Sequence, residues 1–115
     1  MTIEEQIYNI INMPNTYIGE APPNTDNCQW VKLLGGRSRV HFGKDTYDYP
    51  RLSVCARDKK NQKALEIIMQ MYHILQNYTD ANDSIIITRT PYFTGRDLLD
   101  RSVYSFQIEI QLGGY

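Results

Sequence analysis

Two stretches of the chain carry apolar residues at the intervals of three and four residues that an amphipathic helix requires. The first covers residues 2–12, where Thr2 and Glu5 also have the spacing of a capping box. The second covers residues 59–78 and follows Asp58, a residue type that caps helix N-termini. Its apolar positions are Ala64, Ile68, Met71, Leu75 and Tyr78. Both stretches are therefore predicted helices.

Strands are predicted where apolar and polar residues alternate, or where β-branched residues form a short run. The predicted strands cover residues 29–34, 51–57, 84–90 and 102–112, with shorter extended pieces at 16–18 and 38–42. In the last strand, Tyr104 and Phe106 lie on the apolar face, and most of the other face is polar. Gly35-Gly36 predicts a turn after one strand, and Pro91 predicts the end of another.

The order of these elements predicts the fold class. Strands with one apolar face, combined with a long helix, indicate an α+β domain with a mostly antiparallel sheet. The long amphipathic helix and the short N-terminal helix are expected to pack on one face of that sheet. A chain of 115 residues has the length of one ordinary domain, so residues 1–115 are expected to form a single domain. Residues 35–49 are expected to form an extended loop or arm, because Tyr47 and Tyr49 alternate there with Asp45 and Asp48 in a polar segment.

Composition narrows the classes of function. Lys and Arg number 12 against 13 Asp and Glu, whereas proteins that bind nucleic acid through its phosphates usually carry a basic excess. Acidic residues near the start of the chain argue against a signal peptide, and no apolar run approaches the roughly 18 residues of a membrane span. We therefore expect no membrane partner, and a protein that stays in the compartment where it is made.

The chain offers few candidates for catalysis. The two histidines, His41 and His73, are far apart in sequence, and a catalytic site needs several groups that act together. The two cysteines, Cys28 and Cys55, are too few for a disulfide scaffold or a zinc site. We therefore expect a protein that is not an enzyme and that holds no metal or other cofactor.

Two alternatives of a different class stay open. Asp97 or Asp100 together with Glu109 is similar in outline to the acidic pair of a metal-dependent nuclease, although Gln111 stands where such sites usually have lysine. Nine tyrosines would also suit a small nucleic-acid-binding domain that stacks bases on aromatic rings. Against the second alternative, the aromatic residues of the last strand lie on the face that is predicted to cover the long helix.

Four segments in a fixed order carry a resemblance to a known family. They are residues 28–34 ending in Gly35-Gly36-Arg37, Tyr49-Pro50 through Arg57, the helix at 64–75, and Thr90-Pro91-Tyr92-Phe93-Thr94-Gly95-Arg96-Asp97 followed by Arg101. Across residues 28–110 the chain resembles the tail-terminator and minor-capsid proteins of long-tailed bacteriophages, especially those of phages that infect Gram-positive bacteria. The order and spacing of the segments are more specific than any one motif.

The resemblance implies a structural function. Such proteins form a ring, typically of six copies, that caps the head-proximal end of the tail tube, stops tube polymerisation and joins the tail to the head neck. The implied partners are further copies of the chain, the tail-tube protein and a head-neck connector or stopper protein, while DNA passes through the ring without specific binding. The implied location is the tail-neck junction of the virion, after assembly in the host bacterial cytoplasm. A head-completion protein, a head-tail adaptor or a tail-tube protein is the nearest alternative.

Two groups of residues are candidates for contact with a neighbouring subunit or with the tail tube. Arginine and tyrosine, which are enriched at protein interfaces, occur in the predicted arm. The segment between the last two strands holds two acids and two arginines that can form charge-assisted pairs. The arm residues are Arg37, Arg39, Tyr47 and Tyr49, and the second group is Gly95, Arg96, Asp97, Asp100 and Arg101. The alternatives are a surface loop for the first group and an internally paired turn for the second.

Overall fold

The computed structural model describes residues 3–40, 46–76, 78 and 83–112. This part of the chain contains two helices and five strands. The helices are α1 (Ile3–Ile11) and α2 (Asn61–Gln76), and the strands are β1 (Thr16–Ile18), β2 (Cys28–Val40), β3 (Thr46–Asp58), β4 (Asp83–Arg96) and β5 (Ser102–Leu112). Neither of these two helices combines the length and the apolar character that spanning a membrane would require.

The five strands form one sheet in the order β1-β2-β3-β5-β4. β2, β3, β5 and β4 pair in antiparallel fashion, but β1 runs parallel to β2, with Thr16 opposite Gln29 and Ile18 opposite Val31. The predicted fold class, an α+β domain with a mostly antiparallel sheet and a long helix on one face, is therefore wrong as stated. The sheet is mixed, and its strands hold more residues than the two helices together.

The direction of β1 follows from the path of the chain and not from its hydrophobic pattern. The loop at residues 19–27 carries the chain from the end of β1 back to the start of β2, which makes the two strands parallel. Alternation of apolar and polar residues is the same for either direction, so the sequence pattern does not reveal it. Gln29 fixes the pairing, because its side-chain Nε2 donates to Thr16 Oγ1 at 2.9 Å and its backbone N–H donates to Asn15 O at 3.1 Å.

The hydrophobic core lies between α2 and the face of the sheet that we call the helix face. Alternate positions of β3 and β5 are buried there, as the alternation predicted, although Cys55, Arg57, Ser105 and Glu109 on the other face are buried as well. A fully buried aliphatic or aromatic side chain of this kind contributes about 1.5–3 kcal/mol. The apolar residues that the two strands and α2 bury in this core are Leu52, Val54, Ala56, Phe106, Ile108, Ile110, Ala64, Ile68, Met71 and Leu75. α1 adds Ile7 and Ile11 beside β1 and β2.

Two predicted breaks in the strands are wrong. β2 continues through Gly35 and Gly36, and its register with β3 shifts between Leu33 and Gly35, so the glycines lie at a β-bulge and not at a turn. β4 continues through Pro91 because β4 is an edge strand, where the missing N–H of a proline need not remove a ladder hydrogen bond. The long helix is shorter than predicted and covers Asn61–Gln76. Just before it, Asp58 Oδ1 accepts the backbone N–H of Lys60 at 2.9 Å.

Candidate functional site

The turn between β4 and β5 brings together five of the residues predicted to lie at an interface. Asp97 organises it, because its Oδ1 accepts the backbone N–H groups of Leu99 and Arg101, each at 3.0 Å. Two backbone bonds close the turn further: Asp97 N–H donates to Arg101 O at 2.9 Å, and Asp100 N–H donates to Asp97 O at 3.0 Å. Gly95 and Asp100 both have positive φ, at 129° and 60°, a region that glycine and aspartate tolerate better than most residues.

Both arginines of the turn pair with its own aspartates. Arg96 Nε lies 2.6 Å from Asp100 Oδ1, and its Nη1 donates to Ser102 Oγ at 2.8 Å. Arg101 Nε lies 2.8 Å from Asp97 Oδ2, and the Arg101 side chain is almost completely buried. The four charged residues therefore form the internally paired turn that the sequence left open as an alternative. This pairing makes the turn rigid without the help of another molecule.

Two buried arginines also hold the loop at residues 19–27 against the end of the sheet. Arg101 Nη1 donates to Pro23 O at 2.8 Å and to Thr25 O at 2.9 Å, and Arg57 Nη2 donates to Pro22 O at 2.6 Å. Arg57 and Arg101 are 7% and 3% exposed. Sequence reasoning missed this anchor, because the partners lie 35 to 78 positions apart and no local pattern connects them.

The same turn carries two leucines that point away from the protein. Leu98 has a relative exposure of 103% and Leu99 of 57%, although a leucine in a folded domain is usually buried. Neither residue belongs to the hydrophobic core of the described chain. Sequence reasoning missed them as well, because the segment lies outside every periodic stretch.

The predicted arm is a two-stranded extension of the sheet. Arg37 pairs with Tyr49 and Arg39 pairs with Tyr47 across β2 and β3. The register between β3 and β5 begins at Arg51, so within the described residues 46–50 pair with β2 alone. We use "arm" below for residues 35–40 and 46–50. The arm places all four predicted contact residues on paired strands at one end of the sheet.

The acidic residues of the nuclease alternative do not lie close together. Asp97 lies in the turn next to Ser102, whereas Glu109 lies seven residues farther along β5, which corresponds to roughly 24 Å. The structure therefore separates the acids on which the nuclease alternative depends. Across the parts of the chain that the structure describes, no three His, Cys, Asp or Glu side chains are grouped to hold a metal ion. His41 lies outside the described residues.

The two cysteines are buried free thiols in the body of the sheet. Burial raises the pKa of the Cys28 thiol, although the positive charges of Arg57 and Arg101 act in the opposite direction. Cys55 accepts a hydrogen bond from Ser105 Oγ at 3.1 Å. The thiolate is the nucleophilic form of cysteine, so a raised pKa makes Cys28 a poor nucleophile at neutral pH.

Asp97 is expected to make stability depend on acid pH. Burial raises the pKa of its carboxyl, but hydrogen bonds from Arg101 and from the Leu99 N–H outweigh burial and lower the pKa below its ordinary value. Such a group stabilises the folded state above its unfolded pKa, and this contribution is lost as pH falls through the folded pKa. Between about pH 5 and pH 2, the wild type should therefore lose more stability than Asp97→Asn in urea unfolding. Equal losses in the two proteins would contradict this role of Asp97.

A comparison with protein families gives a match over almost the whole chain. The family model described as "Bacteriophage tail terminator protein" matches residues 6–113. The matched range includes both helices except the first residues of α1, all five strands, the arm and the β4–β5 turn. A comparison with curated proteins finds no match.

Proposed function

The chain belongs to the bacteriophage tail terminator family, and we propose that it forms a ring, typically of six copies, at the head-proximal end of the tail tube. Membership confirms the resemblance to tail terminators predicted from residues 28–110, and it indicates a structural protein of the bacteriophage. The match over residues 6–113 is the single observation that carries the proposal. We infer the finer parts of the proposal ourselves. They are the ring, the end of tube growth, the attachment to the head neck, and a long-tailed phage of Gram-positive bacteria as the source.

The shape of the protein supports assembly through two separate surfaces. A closed ring of identical copies is built from one contact that joins two different surfaces on each copy. The chain presents a rigid turn with exposed leucines at one site and a two-stranded arm at another. We infer that the turn residues contact a neighbouring subunit, with Gly95, Asp97 and Arg101 shaping the turn and Arg96 and Asp100 lying at its surface. We infer that the arm contacts the tail tube or the adjacent copy.

The arm can be tested by shortening it. Deleting residues 44–48 should leave the domain folded, because the core residues of β3 begin at Leu52. The shortened protein should fail to cap tails, since the deletion removes Tyr47 and displaces the pairing of Arg37 with Tyr49. Electron microscopy of tails assembled with the variant measures the effect. Tails capped as in the wild type would rule out the arm as a contact, and a Leu65→Gln variant with the arm intact is the control.

The proposed partners are the tail-tube protein on one side of the ring and a connector or stopper protein of the head neck on the other. DNA is proposed to cross the ring without specific binding, and a net charge of -1 is consistent with a lumen that does not retain phosphates. Assembly is proposed to take place in the host cytoplasm. These partners distinguish a terminator from a head-completion protein, a head-tail adaptor and a tail-tube protein, which occupy other positions in the particle.

Immunogold labelling of purified virions tests the position directly. A terminator predicts label at the junction of tail and neck. Label along the whole tail would indicate a tail-tube protein, and label that remains on heads without tails would indicate a head-completion protein or adaptor. Labelling of particles from a phage that lacks the gene is the control for antibody specificity.

A further inference from the structure

The exposed leucines of the β4–β5 turn form an apolar projection, which we call the knob (Leu98 and Leu99). Single exposed leucines are common on protein surfaces, but these two are adjacent and stand on a turn that Asp97 and the Arg96–Asp100 pair hold in shape. A backbone that is already held in one conformation loses little further conformational entropy when the turn binds. The knob therefore has the properties of an anchor at a protein interface.

A hollow of about 500 Å³ lies on the helix side of the protein, between the end of α1 and the C-terminal half of α2. Its lining combines Met13 and Ile74 with Gln70 and His73. The hollow is a shallow depression that is mostly open to solvent, so leucine side chains can reach its apolar surface from outside. Methionine adapts its shape to an incoming apolar group. The hollow therefore offers an apolar floor within a polar rim.

The knob and the hollow lie at opposite ends of α2. Arg96 of the knob's turn reaches Lys59 O at 3.5 Å, and Tyr104 Oη donates to Asn61 Oδ1 at 3.0 Å, so the turn lies beside the start of the helix. Ile74 follows Asn61 by 13 residues, which places the hollow roughly 20 Å farther along the helix axis. A copy of the chain consequently cannot insert its own knob into its own hollow.

We propose that the knob of one copy occupies the hollow of the next copy. The inference rests on the proposed ring, because a protrusion and a hollow at different sites of one chain form the head-to-tail contact from which closed rings are built. Polar groups surround both features: the paired charges of the turn flank the knob, and Gln70 and His73 border the hollow. An apolar centre with a polar rim is the usual arrangement of protein interfaces. The knob supplies the anchor of a wider contact area.

Sedimentation velocity over a concentration series tests the contact. The knob variant combines Leu98→Gln and Leu99→Gln, and the hollow variant is Ile74→Gln. Each should self-associate at least about tenfold more weakly than the wild type, because burying one leucine already contributes more than the roughly 1.4 kcal/mol that corresponds to a factor of ten. Leu65→Gln is the matched control, since it removes an exposed leucine of α2 outside the knob and the hollow. Circular dichroism establishes that each variant is folded.

Mixing the two variants tests the head-to-tail geometry. The knob variant keeps an intact hollow, and the hollow variant keeps an intact knob, so together they can form one native contact. The proposal predicts that an equimolar mixture gives a heterodimer and no closed ring. If each surface paired with its own kind, the mixture would associate no better than either variant alone, and that result would overturn the proposal.

The remaining outcomes separate this contact from the proposed function. If the wild type forms a closed ring and the knob variant forms it at the same concentrations, the contact is wrong and the ring stands. If the wild type is monomeric at every concentration, the contact is also overturned. Immunogold labelling of the virion then decides the terminator function independently.

Discussion

Replacing Phe106 with alanine is expected to lower the free energy of unfolding by about 3–5 kcal/mol, the largest loss predicted for a single side chain of this protein. Phe106 lies at the centre of β5, is 0% exposed and meets the ring of Tyr72 edge to face at a centroid distance of 5.6 Å. Alanine at this position removes the buried ring and leaves a cavity between β5 and α2. Both terms destabilise the folded state.

Urea unfolding followed by circular dichroism measures this loss. Phe93→Ala is the matched control, because Phe93, on the edge strand β4, is 49% exposed and its ring contacts Tyr104 of β5. The control should lose no more than about 1.5 kcal/mol. Equal losses from Phe93→Ala and Phe106→Ala would contradict the position of the core between the sheet and α2.

Replacing Arg101 with alanine is expected to cost about 2–4 kcal/mol and to release the loop at residues 19–27. The substitution removes a buried guanidinium that bonds Asp97 Oδ2 at 2.8 Å, Pro23 O at 2.8 Å and Thr25 O at 2.9 Å. The carboxylate of Asp97 and both carbonyl groups then lose a charged donor. The β4–β5 turn should therefore loosen together with the loop, since Arg101 connects them.

Urea unfolding gives the loss of stability, and amide hydrogen exchange locates it. Faster exchange is expected at two backbone N–H groups. One is that of Leu99 in the turn, which donates to Asp97 Oδ1, and the other is that of Thr25 in the loop, which donates to Pro22 O at 3.3 Å. Arg89→Ala is the control, because Arg89 is exposed and its guanidinium lies over the ring of Tyr92 at 3.6 Å. Loss of this exposed contact should cost no more than about 1 kcal/mol. If Arg101→Ala also costs less than about 1 kcal/mol, the bonds of Arg101 do not hold the loop.

The sequence is informative about this fold where a pattern is local. Alternation in β3 and β5 and the helical spacing in α2 identified their buried faces, because a buried face repeats every two residues in a strand and every three or four in a helix. The parallel pairing of β1 lies beyond this kind of signal, since it depends on the path of the loop at residues 19–27. Gly35-Gly36 and Pro91 suggested breaks, but a bulge and an edge position accommodate them within strands.

In the candidate site too, the sequence indicates local features and misses contacts between distant residues. The sequence identified Arg96, Asp97 and Arg101 as a charged group, and the structure shows how they pair within one turn. It gave no indication of the loop contacts of Arg57, whose carbonyl partners are more than 30 residues away, nor of the exposure of Leu98, which follows from the shape of the turn. The contacts of Arg37, Arg39, Tyr47 and Tyr49 with another subunit or with the tube stay predictions.

Tail length in a phage that lacks this protein is the most direct test of the terminator function. A stop codon in the gene removes the chain, and negative-stain electron microscopy of the lysate gives the length of each tail and the fraction joined to heads. Loss of a terminator should give unattached tubes that are longer and more variable than virion tails, with normal tails restored when the intact chain is supplied in trans. Tails of normal length that are joined to heads in the absence of the protein would contradict the terminator function.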